Sequence, residues 1–309
     1  MNRKNIIITS GDPSGCGPII ILKAIEQFHP KNINFFVVGD KAVFEKLGDY
    51  KKLKHQINLI DADTRGIKRL KKGRVSKLGG YAGLNYLKRA LKIMEEKNIK
   101  HLVTAPLSKE ASRLVCKDFI GHTEYLASYF KVRRVAMMMT SNSIKTILLT
   151  RHIPLRKVPS ALCKEEINNT VSLVYSSLKR QFKIKNPKIV LASVNPHAGV
   201  NTFLEREEKK LLEATLEFRK NIYGPYPADT LFTKENLKKY NCIICAYHDQ
   251  AMIPFKLLAL RRGVNLTLGL PIIRTSPAHG VAYDAMKKGN APFHSSMLAA
   301  IKLALQLSP

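Results

Sequence analysis

The stretch NIIITSGDPSGCGPIIILKAIEQF, residues 5–28, decides the fold class of this chain. Its first part, Asn5–Thr9, is a short apolar run that is typical of a buried β-strand. A glycine-rich turn follows, and the segment from about Pro18 to Phe28 has the apolar spacing of a helix. The stretch therefore predicts a strand, a tight turn and a helix, which together form the repeating unit of α/β proteins.

The same alternation continues along the 309 residues of the chain. Short apolar runs predict further strands at 34–38, 101–104, 146–150, 188–194 and 242–247. Longer amphipathic segments predict helices at 41–47, 80–97, 165–182, 203–220 and 295–307. Strands that alternate with helices predict an α/β fold with a largely parallel sheet, and the length suffices for two domains or one large domain.

Five of the predicted strands end in polar or glycine-rich segments, and three of these segments contain a histidine: His152, His197 and His248. In open α/β sheets, ligands bind beyond the carboxyl ends of the strands, so the segments are candidates for one site. Three neutral imidazoles can hold a catalytic divalent metal, and three unrelated loop histidines are the alternative. Asp229 and Asp249 are nearby carboxylates, suited to a further ligand or to proton transfer.

The glycine-rich turn GDPSGCGP, residues 11–18, is neither a GxGxxG dinucleotide motif nor a Walker A loop. A turn of this kind that opens a helix still offers backbone N–H groups to an anion. Gly11 and Asp12 are therefore candidates for cofactor binding, and a plain tight turn is the alternative.

Two other segments contain residue types that bind phosphate. His122 and Thr123 stand at the start of an apolar helical stretch, where they suit a phosphate or carboxylate, although Thr123 can equally cap the helix. Lys256 and Arg274 have mainly apolar neighbours in the sequence, and a buried cation needs an anionic partner. That partner is either a bound phosphate or an internal carboxylate, and the chain has only 23 acidic residues.

The chain is strongly basic, with a formal net charge of +29 and an isoelectric point near 10.0. Lysine and arginine are spread along the whole chain, and their densest cluster, residues 68–74, has no interleaved aromatic residues. We therefore expect no specific nucleic-acid binding, whereas weak nonspecific binding at low salt fits the charge.

Targeting signals and cysteines both favour the cytoplasm. The N-terminal apolar run is too short for a signal peptide, and no stretch is long enough for a membrane span. Five cysteines at irregular spacing fit a reducing compartment. Cys242 and Cys245 form a CxxC pair, but in a strand they would point to opposite faces, so we expect core cysteines there.

Taken together, the motifs resemble those of the 4-hydroxythreonine-4-phosphate dehydrogenase family of vitamin B6 biosynthesis. In family order they are GDPSGCGP, VTAPLSKE, GHTEYLA, VNPHAG, GPYPADTLF, AYHDQAMIPFK, GVNLTLGLP and RTSPAHG. The resemblance runs from about residue 5 to residue 305. It implies NAD-dependent oxidation and decarboxylation of 4-phosphooxy-L-threonine to 3-amino-2-oxopropyl phosphate. Related enzymes act on phosphothreonate or phosphoerythronate, which these motifs do not separate from the first substrate.

The resemblance also implies an architecture. The implied architecture has two α/β/α domains around a central cleft. It is similar to that of isocitrate and isopropylmalate dehydrogenases and unlike an ordinary Rossmann fold. Residues 1–125 with 260–309 would form the first domain, and residues 126–259 the second. The family enzyme is a homodimer with its active site at the subunit interface.

The same resemblance implies roles for individual residues. His152, His197 and His248 would bind a divalent metal (zinc, magnesium or cobalt) that two subunits share. The implied substrate-binding residues are His122, Thr123, Lys256, Asn265 and Arg274. Asp249 and Asp229 remain the candidates for catalytic proton transfer.

The segment from His279 to Asp284, HGVAYD, is similar to the adenosine-binding HGxAxD motif of the wider superfamily. The resemblance implies that His279, Gly280 and Asp284 contact the cofactor. Asp284 would accept hydrogen bonds from the ribose hydroxyls and so favour NAD over NADP. A solvated carboxylate at a helix start is the alternative for Asp284.

Two positions depart from the family pattern. Ile19 stands where the family usually has a glutamate after the glycine-rich turn, and Val200 replaces the glutamate of NPHAGE. Both changes remove a carboxylate near the expected cleft. They bear on cofactor affinity or substrate range more than on the fold.

Overall fold

The computed structural model describes residues 3–28, 30, 32–199, 206–218, 220–290 and 293–309. These residues separate into two compact units. The first comprises the described residues up to Lys131 together with Leu270–Leu307, and the second comprises Val132–Gly269. Each unit combines a β-sheet with helices, so the predicted α/β class is confirmed.

Eleven strands lie within the described residues. In chain order they are β1 (Lys4–Thr9), β2 (Ile33–Gly39), β3 (Ile57–Asp61), β4 (His101–Thr104), β5 (Ala136–Thr140), β6 (Lys145–Leu148), β7 (Ile189–Ala192), β8 (Ile222–Tyr226), β9 (Cys242–Cys245), β10 (Val264–Leu268) and β11 (Ile273–Pro277). All six strands predicted from the sequence are present, with ends shifted by a few residues. The other five, β3, β5, β8, β10 and β11, were not predicted.

Fourteen α-helices are found in the same part of the chain. They are α1 (Gly17–Phe28), α2 (Lys41–Phe44), α3 (Gly48–Leu53), α4 (Lys77–Glu96), α5 (Lys109–Arg113), α6 (His122–Tyr129), α7 (Val158–Ala161), α8 (Lys164–Arg180), α9 (Arg206–Ala214), α10 (Ala228–Leu231), α11 (Lys234–Lys239), α12 (His248–Ala259), α13 (Tyr283–Lys287) and α14 (Ser295–Gln306). Part of the helix predicted at 203–220 lies outside the described residues. No described helix has both the length and the apolar character to span a bilayer.

The sheet of the first unit is entirely parallel, with the strand order β3-β2-β1-β4-β11. Ile6, Ile7 and Ile8 of β1 are fully buried, as expected for a central strand of a parallel sheet with helices on both faces. The glycine-rich turn leaves the carboxyl end of β1 and leads into α1. The strand–turn–helix unit predicted from residues 5–28 is therefore confirmed.

The sheet of the second unit has the order β10-β5-β6-β9-β7-β8. Strand β5 is antiparallel to both of its neighbours, whereas β6, β9, β7 and β8 are mutually parallel. Cys242 and Cys245 of β9 are both buried, which confirms them as core cysteines, and burial raises the pKa of Cys245 to about 12. Because four adjacent strands are parallel, their carboxyl ends share one edge of the sheet.

Candidate active-site residues

The three candidate metal ligands follow three adjacent strands of the second unit. His152 comes after β6, His248 begins α12 directly beyond β9, and His197 comes after β7. All three side chains are exposed. The ring centroids of His152 and His248 are 5.8 Å apart. The topology therefore puts the three imidazoles at one sheet edge and brings two of them into contact.

The described residues of this single chain contain no group of three or more His, Cys, Asp or Glu side chains arranged to hold a metal ion. His197 thus does not join His152 and His248 in a ready-made cluster. Its backbone lies in the left-handed region, with φ 56°, which is uncommon for a residue other than glycine. Such a conformation is often found at functional sites.

Asp249 lies beside His248, and their Nδ1 and Oδ1 atoms are 2.6 Å apart. When Nδ1 carries the ring proton it donates to this carboxylate, and Nε2 keeps its lone pair for another partner. Carboxylate–histidine pairs of this kind orient metal ligands and raise their basicity. Asp229 is exposed in the first turn of α10, beyond the carboxyl end of β8.

Two residues not predicted from the sequence hold these loops in place. The carboxylate of Glu208 is buried and accepts hydrogen bonds from the backbone N–H groups of Val194 and Asn195, each at 2.9 Å. Gln250 accepts from Ala246 N at 2.8 Å and donates to Ser193 O at 2.7 Å. Glu208 therefore fixes the loop before His197, and Gln250 ties that loop to the start of α12.

In the first unit, Arg274 is only 3% exposed, and its Nη2 donates to Thr104 Oγ1 at 2.6 Å. Burial lowers the pKa of Arg274 to about 10, partly offset by the charge of Glu124, so the guanidinium stays protonated at neutral pH. A buried cation of this kind favours an anionic ligand. The expected burial of Arg274 is confirmed.

His122 begins α6, and the adjacent Thr123 is buried. Burial, followed by the charges of Arg274 and Lys109, holds the pKa of His122 well below its ordinary value. The imidazole is therefore neutral at pH 7 and stands near two cations, an arrangement that an anion would stabilise.

Lys109 was not predicted as a site residue, although it belongs to the strand-end motif VTAPLSKE. It is exposed at the start of α5, where Ser108 caps the helix by accepting from Ala111 N. A Cβ atom built on Gly121 would lie 3.4 Å from Lys109 Cε and 3.0 Å from Glu124 Oε2. Lys109 and Glu124 therefore flank the start of α6, beside His122.

Lys256 and Asn265 belong to the second unit. The expectation that Lys256 is buried is wrong, since the side chain is exposed on α12. Its apolar sequence neighbours Leu257 and Leu258 are exposed as well, so they do not enclose it. Asn265 lies on β10, and its buried Oδ1 atom has no hydrogen-bond partner among the described residues. A buried amide oxygen without a partner is costly, so a ligand that donates to it would be favoured.

The glycine-rich turn packs against the HGVAYD segment within the first unit. Cys16 N donates to Val281 O at 3.0 Å, and the hydroxyl of Tyr283 donates to Asp12 Oδ2 at 2.6 Å. Asp12 is fully buried, and its Oδ1 accepts from Ser14 N at 2.8 Å. The Asp12 carboxylate therefore binds the protein's own groups. Gly11 has φ 67°, and a Cβ there would clash with the carbonyl oxygen of Pro106.

A cavity of about 870 Å³ lies beside this junction. It is lined by Gly73, Arg74, Val75, Gly280, Val281, Ala282, Tyr283, Asp284, Ala285 and Lys287. Its volume falls in the range of cofactor sites. Gly280 and Asp284 thus line the cavity, and the Asp284 side chain is 95% exposed. His279 is half-buried, and its Nδ1 lies 3.0 Å from Gly280 O.

Ile19, the first departure from the family pattern, is half-buried in α1. Val200, the second, lies outside the described residues.

The largely parallel strands, the buried arginine and the nucleotide-sized cavity define an α/β protein suited to small anionic ligands. The chain belongs to the PdxA family, because the model of the pyridoxal phosphate biosynthetic protein PdxA matches residues 20–304. It is 37% identical to a 4-hydroxythreonine-4-phosphate dehydrogenase of Desulforapulum autotrophicum, over 98% of this chain and 95% of that protein.

Two further comparisons agree with this assignment. The chain is 34% identical to a D-threonate 4-phosphate dehydrogenase of Salmonella typhimurium over the full length of both proteins. The fold matches the solved structure of a putative 4-hydroxythreonine-4-phosphate dehydrogenase from Salmonella typhimurium with a TM-score of 0.85. That match has 34% identity and covers 99% of this chain and 100% of the other.

Proposed function

We propose that this chain is a dehydrogenase that oxidises 4-phosphooxy-L-threonine with NAD in vitamin B6 biosynthesis. Hydride leaves the carbon that bears the free hydroxyl and reduces NAD, while the hydroxyl proton passes to a base. The resulting β-keto acid loses CO2 and takes up a proton, which gives 3-amino-2-oxopropyl phosphate. The observation that carries the proposal is the buried guanidinium of Arg274 beside His122 and Lys109, since this group suits a substrate phosphate.

The phosphate would add a second negative charge, besides that of Glu124, next to a cation that the fold keeps out of water. Arg274 supplies planar N–H donors, which match phosphate oxygens. The neutral His122 can donate one ring N–H, and Thr123 adds a hydroxyl at the same helix start. Holding the phosphate orients the reacting carbon, which is a large part of what a dehydrogenase contributes to rate.

The three histidines beyond β6, β7 and β9 suit a divalent metal, because imidazole nitrogens are metal donors and because Asp249 holds the ring of His248. His152, His197 and His248 would be the ligands, with a second copy of the chain completing the site in a homodimer. When bound, a metal would supply positive charge that lowers the pKa of the substrate hydroxyl. Since Asp249 is engaged with His248, we favour Asp229 as the group that accepts the hydroxyl proton.

The cavity of the first unit fits the nicotinamide cofactor. A Cβ atom built on Gly280 would meet nothing within 4 Å, so a ligand can approach the backbone there. Asp284, fully solvated at this wall, can accept from ribose hydroxyls, which favours NAD over NADP. The five cysteines are unpaired, as expected for the cytoplasmic location that we propose.

D-Threonate 4-phosphate is the second candidate substrate, because the similarity to a dehydrogenase of that name extends over the whole chain. The two substrates share the phosphate, the carboxylate and the reacting hydroxyl. They differ at the neighbouring carbon, which bears an amine in one and a hydroxyl in the other.

The test is NADH formation with both substrates and with unphosphorylated 4-hydroxythreonine, for the wild-type protein and two variants. We expect a higher kcat/KM for 4-phosphooxy-L-threonine than for D-threonate 4-phosphate. Arg274→Met should lower that value roughly 100-fold, the usual effect of removing a buried charged partner. Arg89→Met, an exposed substitution on α4, is the matched control and should change little.

Two outcomes would contradict the proposal. A higher kcat/KM for D-threonate 4-phosphate than for 4-phosphooxy-L-threonine would show that D-threonate 4-phosphate is the preferred substrate. Equal kcat/KM values for Arg274→Met and Arg89→Met, in proteins with the same melting temperature, would show that Arg274 does not bind the phosphate.

A further inference from the structure

We infer that Arg74 is a phosphate ligand of the dinucleotide that occupies the cavity of the first unit. The inference rests on the proposed function, because it takes a nicotinamide dinucleotide as the occupant. It adds a residue from a segment that carries no cofactor motif: Arg74 lies in the loop before α4, about 200 residues before the HGVAYD segment.

The first observation is the charge on the cavity wall. Three lining residues have side chains of a charged type: the basic Arg74 and Lys287 and the acidic Asp284. Lys287 Nζ is 4.0 Å from Asp284 Oδ1, so that pair largely cancels. Among the described residues Arg74 makes no ion pair or hydrogen bond through its side chain, and it leaves the wall with a net positive charge.

The second observation is that the loop bearing Arg74 is anchored to the rest of the wall. Gly73 N donates to Ser14 O at 2.8 Å, which ties the loop to the glycine-rich turn. Gly73 has φ 70°, and a Cβ atom there would lie 2.8 Å from Tyr283 O and 2.9 Å from Lys287 N. Only glycine allows this close approach, so the loop is held against α13.

Behind Arg74, the hydroxyl of Ser76 accepts from Gly79 N and caps α4. The arginine is therefore bracketed by two fixed points, one at Gly73 and one at Ser76. Its side chain is exposed, and its Cα position is set by the packing of the loop. A guanidinium that is carried by an anchored loop on a cavity wall, without an anionic partner among the described residues, is suited to a phosphate of the ligand.

A nicotinamide dinucleotide offers two sources of phosphate. One is the pyrophosphate, which NAD and NADP share, and the other is the 2′-phosphate that only NADP carries. ADP-ribose and its 2′-phosphorylated form separate the two sources, because both bind without a reaction. Titration calorimetry with these probes therefore tests Arg74 independently of turnover.

The experiment compares wild type, Arg74→Met and the control Arg69→Met. Arg69 is an exposed arginine five positions earlier that does not line the cavity, so the control removes the same charge from the same region. We expect Arg74→Met to weaken binding about tenfold, and Arg69→Met to have little effect. If Arg74→Met has lower affinity for both probes, Arg74 binds the pyrophosphate. If its affinity is lower for the 2′-phosphorylated probe alone, Arg74 binds the 2′-phosphate.

Equal affinities of Arg74→Met and wild type for both probes would overturn the inference while leaving the proposed function intact. Equal losses in Arg74→Met and Arg69→Met would also overturn it, since they would reflect net charge alone. If the wild-type protein bound neither probe, the inference and the NAD dependence of the proposed function would fail together. Melting temperatures of the three proteins establish that both variants are folded.

Discussion

The hydrogen bond between Tyr283 and Asp12 yields a prediction for the Tyr283→Phe variant. The Tyr283 hydroxyl donates to Oδ2 of the fully buried Asp12 carboxylate, and Ser14 N donates to its Oδ1. Burial raises the pKa of Asp12 above its ordinary value, and the bonds from Tyr283 and Ser14 act in the opposite direction. The substitution keeps the aromatic ring and removes only the donor, so it isolates this bond.

The expected loss is about 2 kcal/mol in the free energy of unfolding, within the usual range for a hydrogen bond to a charged group. The unfolding entropy is about 2.1 cal/mol/K per residue, so for this chain of 309 residues the loss corresponds to a fall of about 3 °C in the melting temperature. The loss should depend on pH. Because the folded-state pKa of Asp12 is raised, the free energy of unfolding falls as the pH rises through that pKa. Removing the Tyr283 hydroxyl raises the pKa of Asp12 further, since that bond favours the charged carboxylate.

The deficit of Tyr283→Phe should therefore be smaller at low pH, where Asp12 is protonated in both proteins, and larger above the folded-state pKa of Asp12. Differential scanning fluorimetry across a pH series would measure it. Tyr81→Phe, on an exposed tyrosine of α4, is the control and should leave the melting temperature unchanged. A deficit that is the same at every pH, or no larger than that of Tyr81→Phe, would refute the reasoning.

Three further predictions concern the two groups of site residues. Glu208→Ala should weaken zinc binding about tenfold, measured by titration calorimetry, because the loop before His197 loses its acceptor; unchanged affinity would contradict this role. Asp249→Asn should likewise weaken metal binding about tenfold yet keep turnover at saturating metal, and lost turnover there would instead favour Asp249 as the base. Between pH 6 and 8, affinity for inorganic phosphate should follow only the ionisation of phosphate, since His122 is already neutral; an added transition abolished by His122→Asn would contradict this.

The strands that sequence reasoning recovered are those whose apolar runs stand alone between polar segments, such as β1 and β9. Strands β10 and β11 were missed because GVNLTLGLPIIRTSP carries both in one almost continuous apolar stretch. Helix α12 was missed because it contains Pro254 and has little separation of polar and apolar faces. The predicted strands occur in the chain order expected, but the division of long apolar stretches into separate strands could not be predicted.

The candidate site was predictable where residues follow strand ends, because parallel strands collect their carboxyl ends at one edge. His152, His197 and His248 could be placed on that principle. Lys256 was misjudged because apolar neighbours along a helix need not be neighbours in space. The bond between Asp12 and Tyr283 joins residues 271 positions apart, and no local pattern in the sequence indicates such a contact.

The measurement that tests the central claim most directly is NADH absorbance after 4-phosphooxy-L-threonine and NAD are added to chelator-treated wild-type protein. Zinc, magnesium and cobalt are then added back in turn. We predict little NADH before metal is added, rapid formation afterwards, and none when unphosphorylated 4-hydroxythreonine replaces the substrate. Undiminished turnover without metal would contradict the role of the three histidines, and no turnover with any metal would contradict the proposed reaction itself.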